Sequence, residues 1–366
     1  MDSIASIEDP GASNAPAPVP TPPCGLANMG NTCGINTLLQ CITHTPPLVA
    51  AMVASGHAGQ PLADEVHRVC RAIFEASGQS LLPQGAVRAI FDTFKDILVP
   101  GQQTDLTELW MLVADRLAGQ WGKPRAAPEP RQPPERFREH PGIQRIHGLL
   151  PAVYDRYHEG KWSPWHEAIY GIQVVQTGCH AAQAPCPGFF FNLEPFLMLT
   201  LMPPSGGDGV PAQVRQGLER YINEERIPEW TCDVCKGTGA TKLVRFYEFP
   251  QVLVLAIKRF SPNGQKTHDP VDISEGLAFP AASMIGPDGL RVVETAGGNA
   301  TAATFRLMAI GNHHGISQGG HYNAVVRRGD RWYVVDDLAS QDITGNIAGV
   351  LRGNRDAYLL FYERIL

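Results

Sequence analysis

Apolar residues between Leu26 and about Leu117 recur mainly at helical spacing. Examples are Ile35, Leu38, Leu39 and Ile42; Val66, Cys70, Ile73 and Phe74; and Leu109, Leu112, Val113 and Leu117. From about Tyr170 onward the pattern changes to β-rich runs, at Phe196 to Leu201, Leu243 to Phe249, Val252 to Ile257, Phe305 to Ile310, Tyr322 to Val326 and Tyr358 to Tyr362. Helices gathered in one part of a chain and strands in another predict an α+β fold rather than alternating βαβ units. Two stretches carry no apolar period. Residues 1–23 are rich in Ala, Pro and Ser and are expected to form a disordered tail, and Pro124 to Pro134, with five prolines, is expected to be an exposed loop inserted between the helical and sheet parts.

Within the helical part, the segment Asn28 to Gln40 places Cys33 where a turn feeds into an apolar-striped helix. Asn31 and Thr32 are residue types that cap helix starts, so the Cys33 thiol is expected beside unpaired N–H groups and the positive end of the helix dipole. Both favour thiolate, the reactive form. Near the other end of the chain, Gln318 to Val326 and Arg331 to Asp337 flank a polar turn and predict a β-hairpin. His321 opens its first strand and Asp336 closes its second, which puts an imidazole and a carboxylate at one rim of a sheet. Taken singly, each residue reads as packing, a strand end or a solvated turn. Together they supply a nucleophile, a base and a group that orients the base.

The run Gly25 to Cys33, continuing through Leu39 and Gln40, resembles the cysteine box of the ubiquitin-specific proteases. Gly319-Gly320-His321-Tyr322 with Trp332 to Asp337 resembles their histidine box. Gln102 to Leu109 is similar to the family's Gln-Asp-Ala-x-Glu-Phe helix start, Phe249 to Phe260 to its central palm strand and Ala357 to Tyr362 to its closing strand. The resemblance implies a papain-like cysteine peptidase with a helical thumb at about residues 25–160, β fingers at about 165–245 and a β-rich palm at about 246–366, all within a catalytic domain spanning 24–366. It implies Cys33 as nucleophile, His321 as general base, Asp336 as third member of a triad, Asn28 as an oxyanion donor and Asp337 as an auxiliary that binds a water or a neighbouring amide. One position departs from the family: an aromatic residue usually follows the cysteine, and this chain has Gly34, a loss expected to remove packing at the helix start and loosen the cleft. Trp110, His313 and Tyr322 are candidates by position for lining a narrow channel that admits a Gly-Gly tail, and each reads equally as core or loop packing.

Cys232 and Cys235 have the spacing of half a zinc knuckle. The family completes the tetrahedron with a second such pair, and Cys179 stands where that pair begins, but Ala182 occupies the place of the fourth thiolate. Cys186 or His180 could supply it; otherwise the finger is held by packing and the thiols are free. No cofactor is expected for catalysis, and a structural zinc on Cys179, Cys232, Cys235 and Cys186 is the metal site in view.

Eight cysteines in 366 residues at irregular spacing do not form a disulfide framework, and with no signal peptide apparent an intracellular protein of cytoplasm or nucleus is expected. A net charge of −6 without a Lys/Arg block argues against a nucleic-acid partner, and no apolar run approaches the roughly 20 residues that span a bilayer. The expected protein is thus a monomeric deubiquitinating peptidase acting on ubiquitin or ubiquitinated proteins, with no nucleic-acid or membrane partner. A silent ubiquitin-binding scaffold and a protease for a ubiquitin-like modifier are the alternatives.

Overall fold

The computed structural model describes residues 21–76, 79–124, 141–180, 186, 189–202, 211–261, 263–280, 301–316 and 319–365. Most of the expected tail (1–20), residues 125–134 of the Pro-rich insertion, and Ala182 lie outside them.

Helices dominate the first third, as the 3.6-residue periodicity requires: α1 (Cys33–Thr43), α2 (Pro46–Ser55), α3 (Pro61–Glu75), α4 (Gln84–Thr93) and α5 (Leu106–Trp121). The start of α5 is fixed by a side chain. Asp105 accepts hydrogen bonds from the backbone N–H of Thr107 at 2.8 Å and of Glu108 at 3.0 Å, and so satisfies donors that a helix N-terminus leaves unpaired. No residue of α1 reaches solvent to any extent: both its apolar stripe and its polar residues are buried. α1 and α2 are together long and apolar enough to resemble a membrane span, but they bend by 86° and no single described helix is long and apolar enough to cross a bilayer.

The strands form two main sheets. In the larger, the strand Arg331–Asp336 lies between Ala339–Asp342 and Gly319–Arg328. The order then continues through Thr301–Ile316, Ala357–Arg364 and Val252–Ile257 to Leu199–Leu201, and Gly276–Pro280 joins the side of Thr301–Ile316. Only the Leu199–Leu201 pairing is parallel; the others are antiparallel. The expected strand at Phe196 to Leu201 is interrupted at Leu197-Met198, so that Phe196 ends a strand of one sheet and Leu199 begins a strand of the other. The smaller sheet has four antiparallel strands in the order Phe189–Phe196, Gly171–Cys179, Thr238–Glu248, Glu225–Thr231.

α1 packs against the strands Gly319–Arg328 and Thr301–Ile316, and α5 against Ala357–Arg364. One continuous core therefore joins the helices to one face of the larger sheet. It includes Leu38, Leu109, Trp110, Ala324, Val326, Leu359 and Phe361. Phe246, Phe249, Phe279 and Phe305 pack with Leu253 and Leu255 in a second core associated with the same sheet. Burial of such side chains is the largest favourable contribution to the fold, about 1.5–3 kcal/mol each for fully buried Leu or Phe.

Candidate active site

The hairpin forms as its sequence pattern predicts. Ala324 pairs with Val335 and Arg328 with Arg331, leaving a two-residue turn at Gly329 (φ 61°) and Asp330. Its open end carries the chemistry: Nε2 of His321 lies 2.5 Å from Oδ1 of Asp336. Nδ1 is therefore the nitrogen left to exchange a proton with another group. On its other side the His321 strand is paired so that His314 stands opposite His321 and His313 opposite Tyr322. Gly320, just before the histidine, makes room for the neighbouring strand, because a Cβ there would come within 2.3 Å of the His314 carbonyl oxygen.

Cys33 is the first residue of α1 and is 3 % exposed. Its sulfur lies against this hairpin: the backbone N–H groups of Tyr322 and Gly34 face it, and the amide Nε2 of Gln103 is 4.0 Å away. Tyr322 directly follows His321, so the thiol and the imidazole belong to the same seam between helix and sheet. Among the described residues the imidazole is bonded to Asp336 and not to the thiol. Unliganded hydrolases often hold such contacts long and tighten them in the substrate complex.

Two expectations about the helix start change. Thr32 occupies the N-cap position, but its side chain does not cap α1. Its hydroxyl instead accepts from Met29 N–H at 2.8 Å and donates to Asn28 Oδ1 at 3.3 Å. Asn31, at φ 55°, donates from Nδ2 to the Gly101 carbonyl at 2.6 Å. The local polar groups thus shape the loop rather than the helix end. The thiol, moreover, is pushed above its ordinary value, first by burial and further by the nearby Asp337 charge, and the N–H groups of Tyr322 and Gly34 only partly offset this. Burial thus works against the thiolate at this position, and a proton acceptor favours formation of the nucleophile.

Asn28 organises the loop. Its Oδ1 accepts from the N–H groups of Gly30 at 3.0 Å and Thr32 at 3.2 Å, and its Nδ2 donates to Asp337 Oδ2 at 2.9 Å. The other oxygen of Asp337 accepts from Asn36 Nδ2 at 2.8 Å, and the Asp337 carbonyl accepts from Leu26 N–H at 2.7 Å. Asp337 therefore spans two amides and backbone, with its own backbone in the left-handed region at φ 46°. Asn36 was not singled out in the sequence. A buried Asn one turn after Cys33, inside an apolar stripe, is the signal that could have found it.

Gly34 sits in close packing at the helix start. A Cβ there would meet the Thr104 carbonyl oxygen at 3.2 Å and the Tyr322 ring at 3.5 Å, so these neighbours already fill the space of the missing side chain. None of the three candidate channel residues is open to solvent. Trp110 is fully buried edge-on against Phe361, and His313 and Tyr322 are buried with their rings 4.7 Å apart. Aromatic type and sequence position do not separate a channel wall from the core beneath it.

At the far end of the smaller sheet, Cys179, Cys186, Cys232 and Cys235 bring their sulfurs within 4.8 Å of one another. Cys179 and Cys235 are 3.6 Å apart and Cys186 and Cys232 3.7 Å. A tetrahedron with Zn–S bonds of about 2.3 Å has edges of roughly 3.8 Å, so the donor set and spacing fit that ion. Cys186 stands in the cluster, and His180 is exposed with its backbone N–H on the Gly239 carbonyl. Backbone N–H of Cys235 is the main cause that lowers the Cys232 thiol to about 7. Lys242, in the same sheet, forms an exposed pair with Glu225 at 3.3 Å.

Comparison with known proteins places this geometry. The family model described as ubiquitin carboxyl-terminal hydrolase matches residues 24–362. Among curated relatives, ubiquitin carboxyl-terminal hydrolase 17-like protein B of Mus musculus is 27% identical over 352 residues, covering 93% of this chain and 64% of the relative. Ubiquitin carboxyl-terminal hydrolase 21 of Homo sapiens is 26% identical over 362 residues, covering 93% and 61%. The chain thus spans somewhat over three fifths of the length of these relatives. Among solved structures, a SAGA DUB module of Ubp8, Sgf11, Sus1 and Sgf73 bound to monoubiquitin is similar with a TM-score of 0.63 and 20% identity, covering 94% of this chain and 69% of that one. A yeast SAGA DUB module with a mutant Sgf73 gives a TM-score of 0.65 at 19% identity, covering 94% and 68%. The shared fold is α+β and papain-like.

Proposed function

Because the chain belongs to the ubiquitin carboxyl-terminal hydrolase family, we propose that it is a thiol-dependent deubiquitinating peptidase that hydrolyses the peptide or isopeptide bond after the terminal glycine of ubiquitin. The observation that carries this reading is the seam itself: a cysteine at a helix start lies against the strand whose histidine is bonded to an aspartate 2.5 Å away. In this reading the helical layer, the four-stranded sheet and the larger sheet act as thumb, fingers and palm.

The chemistry follows from the proton inventory. His321 Nδ1 accepts the Cys33 proton as sulfur bonds to the scissile carbonyl carbon, and the carbonyl π pair moves onto oxygen. Asp336, on Nε2, holds the ring and stabilises the imidazolium. As the oxyanion collapses, the C–N bond breaks, the leaving amine takes the proton from the imidazolium, and a thioester remains on Cys33. Water then attacks the thioester while His321 takes one of its protons; collapse returns that proton to sulfur and releases the carboxylic acid, which gives up water's other proton to solvent. Asn28 has one N–H of its Nδ2 beyond the bond to Asp337, and this is its donor to the oxyanion. Asp337 positions that amide.

The four cysteines would hold zinc as a closed structural site, giving the small sheet a cross-link that a core of this size lacks. The eight free cysteines suit a reducing compartment, and the proposal places the protein in cytoplasm or nucleus as a monomer.

A ubiquitin probe with a C-terminal electrophile tests the reading. It is expected to label Cys33 under reducing conditions and to leave Cys33→Ala unlabelled; absence of labelling in the unaltered protein counts against hydrolysis. The second reading, a silent ubiquitin-binding scaffold, draws on the burial that works against the thiolate and on the unmade bond between Cys33 and His321. Ubiquitin binding without turnover of a fluorogenic ubiquitin substrate would select it. Probes built on other modifiers test the ubiquitin-like alternative.

A further inference from the structure

The amide of Asn28 is heavily committed. Its oxygen accepts from two backbone N–H groups and the Thr32 hydroxyl, and one of its two N–H bonds is spent on Asp337. A single remaining N–H is a thin provision for the charge that develops on a carbonyl oxygen in a water-poor cleft. A second amide stands beside the nucleophile. Nε2 of Gln103 donates a long hydrogen bond to the Cys33 sulfur at 4.0 Å, the weakest of the influences that lower this thiol. Oxyanion donors belong about 2.7–3.1 Å from where the oxygen will be, not from the attacking atom. A donor set back from sulfur by this distance leaves space for the oxygen of the carbon under attack.

Gln103 is also held from both sides. Two residues before it, the Gly101 carbonyl accepts from Asn31 Nδ2 at 2.6 Å, and Gln102 N–H bonds the Val99 carbonyl at 3.1 Å. Two residues after it, Asp105 caps α5 and accepts from the Tyr358 hydroxyl at 2.6 Å. Between these anchors the Thr104 carbonyl approaches the start of α1 so closely that a Cβ at residue 34 would stand 3.2 Å from it. A side chain after the nucleophile would ask this carbonyl to give by a few tenths of an ångström, so the 102–105 segment packs closely on the cysteine.

We propose that Gln103 is a second oxyanion donor, acting with Asn28 during attack on the carbonyl and during hydrolysis of the thioester. This rests on the hydrolase reading above. It assigns Gln103 its main contact during reaction with the reacting oxygen rather than with sulfur, and so predicts effects chiefly on transition-state binding.

The test uses the full chain with Gln103→Met, which keeps length and removes both N–H bonds, and Gln103→Ala. Three quantities are compared: kcat and KM on a fluorogenic ubiquitin C-terminal amide, affinity for ubiquitin C-terminal aldehyde, whose adduct with sulfur is tetrahedral, and the rate of Cys33 alkylation by iodoacetamide, which displaces iodide and builds no oxyanion at the attacked carbon. Expected is a parallel fall in kcat and aldehyde affinity, on the order of 10²-fold for loss of one donor, with KM unchanged and the alkylation rate reduced far less, by no more than loss of the long bond to sulfur accounts for. An equal fall in alkylation would overturn the assignment, because the amide would then act on sulfur or on the fold. Unchanged kcat in Gln103→Met with an active unaltered enzyme overturns this inference alone. An unaltered protein that binds ubiquitin but turns over no substrate overturns the hydrolase reading and this inference with it.

Discussion

Cys33 and Cys232 are both buried thiols at turns, and their acidities move in opposite directions. At Cys33, burial outweighs the two backbone N–H groups that face the sulfur, and the Asp337 charge adds to burial. At Cys232, N–H groups from Cys235 and Val234 curl around the sulfur, with Cys179 and Cys186 beside it, and these win over burial. The difference teaches that a helix start does not by itself make a thiolate. What decides is how many donors aim at the sulfur against how much water it has lost. One site suits a thiol that must be deprotonated at the moment of reaction, the other a thiol ready to give up its proton to a metal.

The two sites should therefore fail in different ways. Cys33→Ala is expected to lower turnover of a ubiquitin substrate by about 10⁴-fold or more while leaving the thermal midpoint nearly unchanged; measurable hydrolysis by that variant would remove Cys33 from the chemistry. Asp336→Asn should reduce kcat by about 10²- to 10⁴-fold, because the orienting and stabilising charge on His321 is lost, with ubiquitin affinity preserved in a binding titration. Cys186→Ser is expected to lower bound zinc below one per chain by elemental analysis and to lower the melting temperature by several degrees, an effect a chelator should reproduce on the unaltered protein. In a His321→Ala background, alkylation of Cys33 followed against pH should inflect above the ordinary thiol value of 9.0. An inflection well below it would mean that donors, not burial, control this sulfur.

A smaller, global effect tests burial as the controlling factor across the molecule. His44, His158 and His313 are each lowered to about 4 and His166 to about 3, in every case first by burial. Between the ordinary value of 6.5 and these values the unfolded chain binds protons that the folded chain does not, so stability rises with pH across that window and is lost as pH falls through it. Denaturant midpoints are expected to decline from about pH 6.5 toward pH 4.

Much of this arrangement was legible in the residues. Helical spacing marked α1, α3 and α5, alternating β-rich runs marked the larger sheet, and the hairpin of His321 and Asp336 followed from a polar turn between two strand patterns. These features are local, and local periodicity records which face is buried. The rest depends on contacts between distant segments. The bond between Asn36 and Asp337, and the approach of Gln103 to Cys33 across 70 residues, leave no periodic trace. The burial of Trp110, His313 and Tyr322 was equally hidden, since an aromatic residue beneath a cleft and one lining it have the same sequence signature. Gly34 was visible as a departure, but its meaning was not: only the neighbouring Thr104 carbonyl shows that the vacancy is filled by backbone.

The hydrogen bond from Leu26 N–H to the Asp337 carbonyl is a stitch between the first and last portions of the catalytic chain. A second lies beside it, since Leu81 N–H binds the Gly25 carbonyl and Ala27 N–H the Leu81 carbonyl. Together they make the strip ahead of the nucleophile a belt threaded through both layers. The cysteine loop is thereby tied through backbone to the acidic rim of the sheet, so that displacing one strains the other.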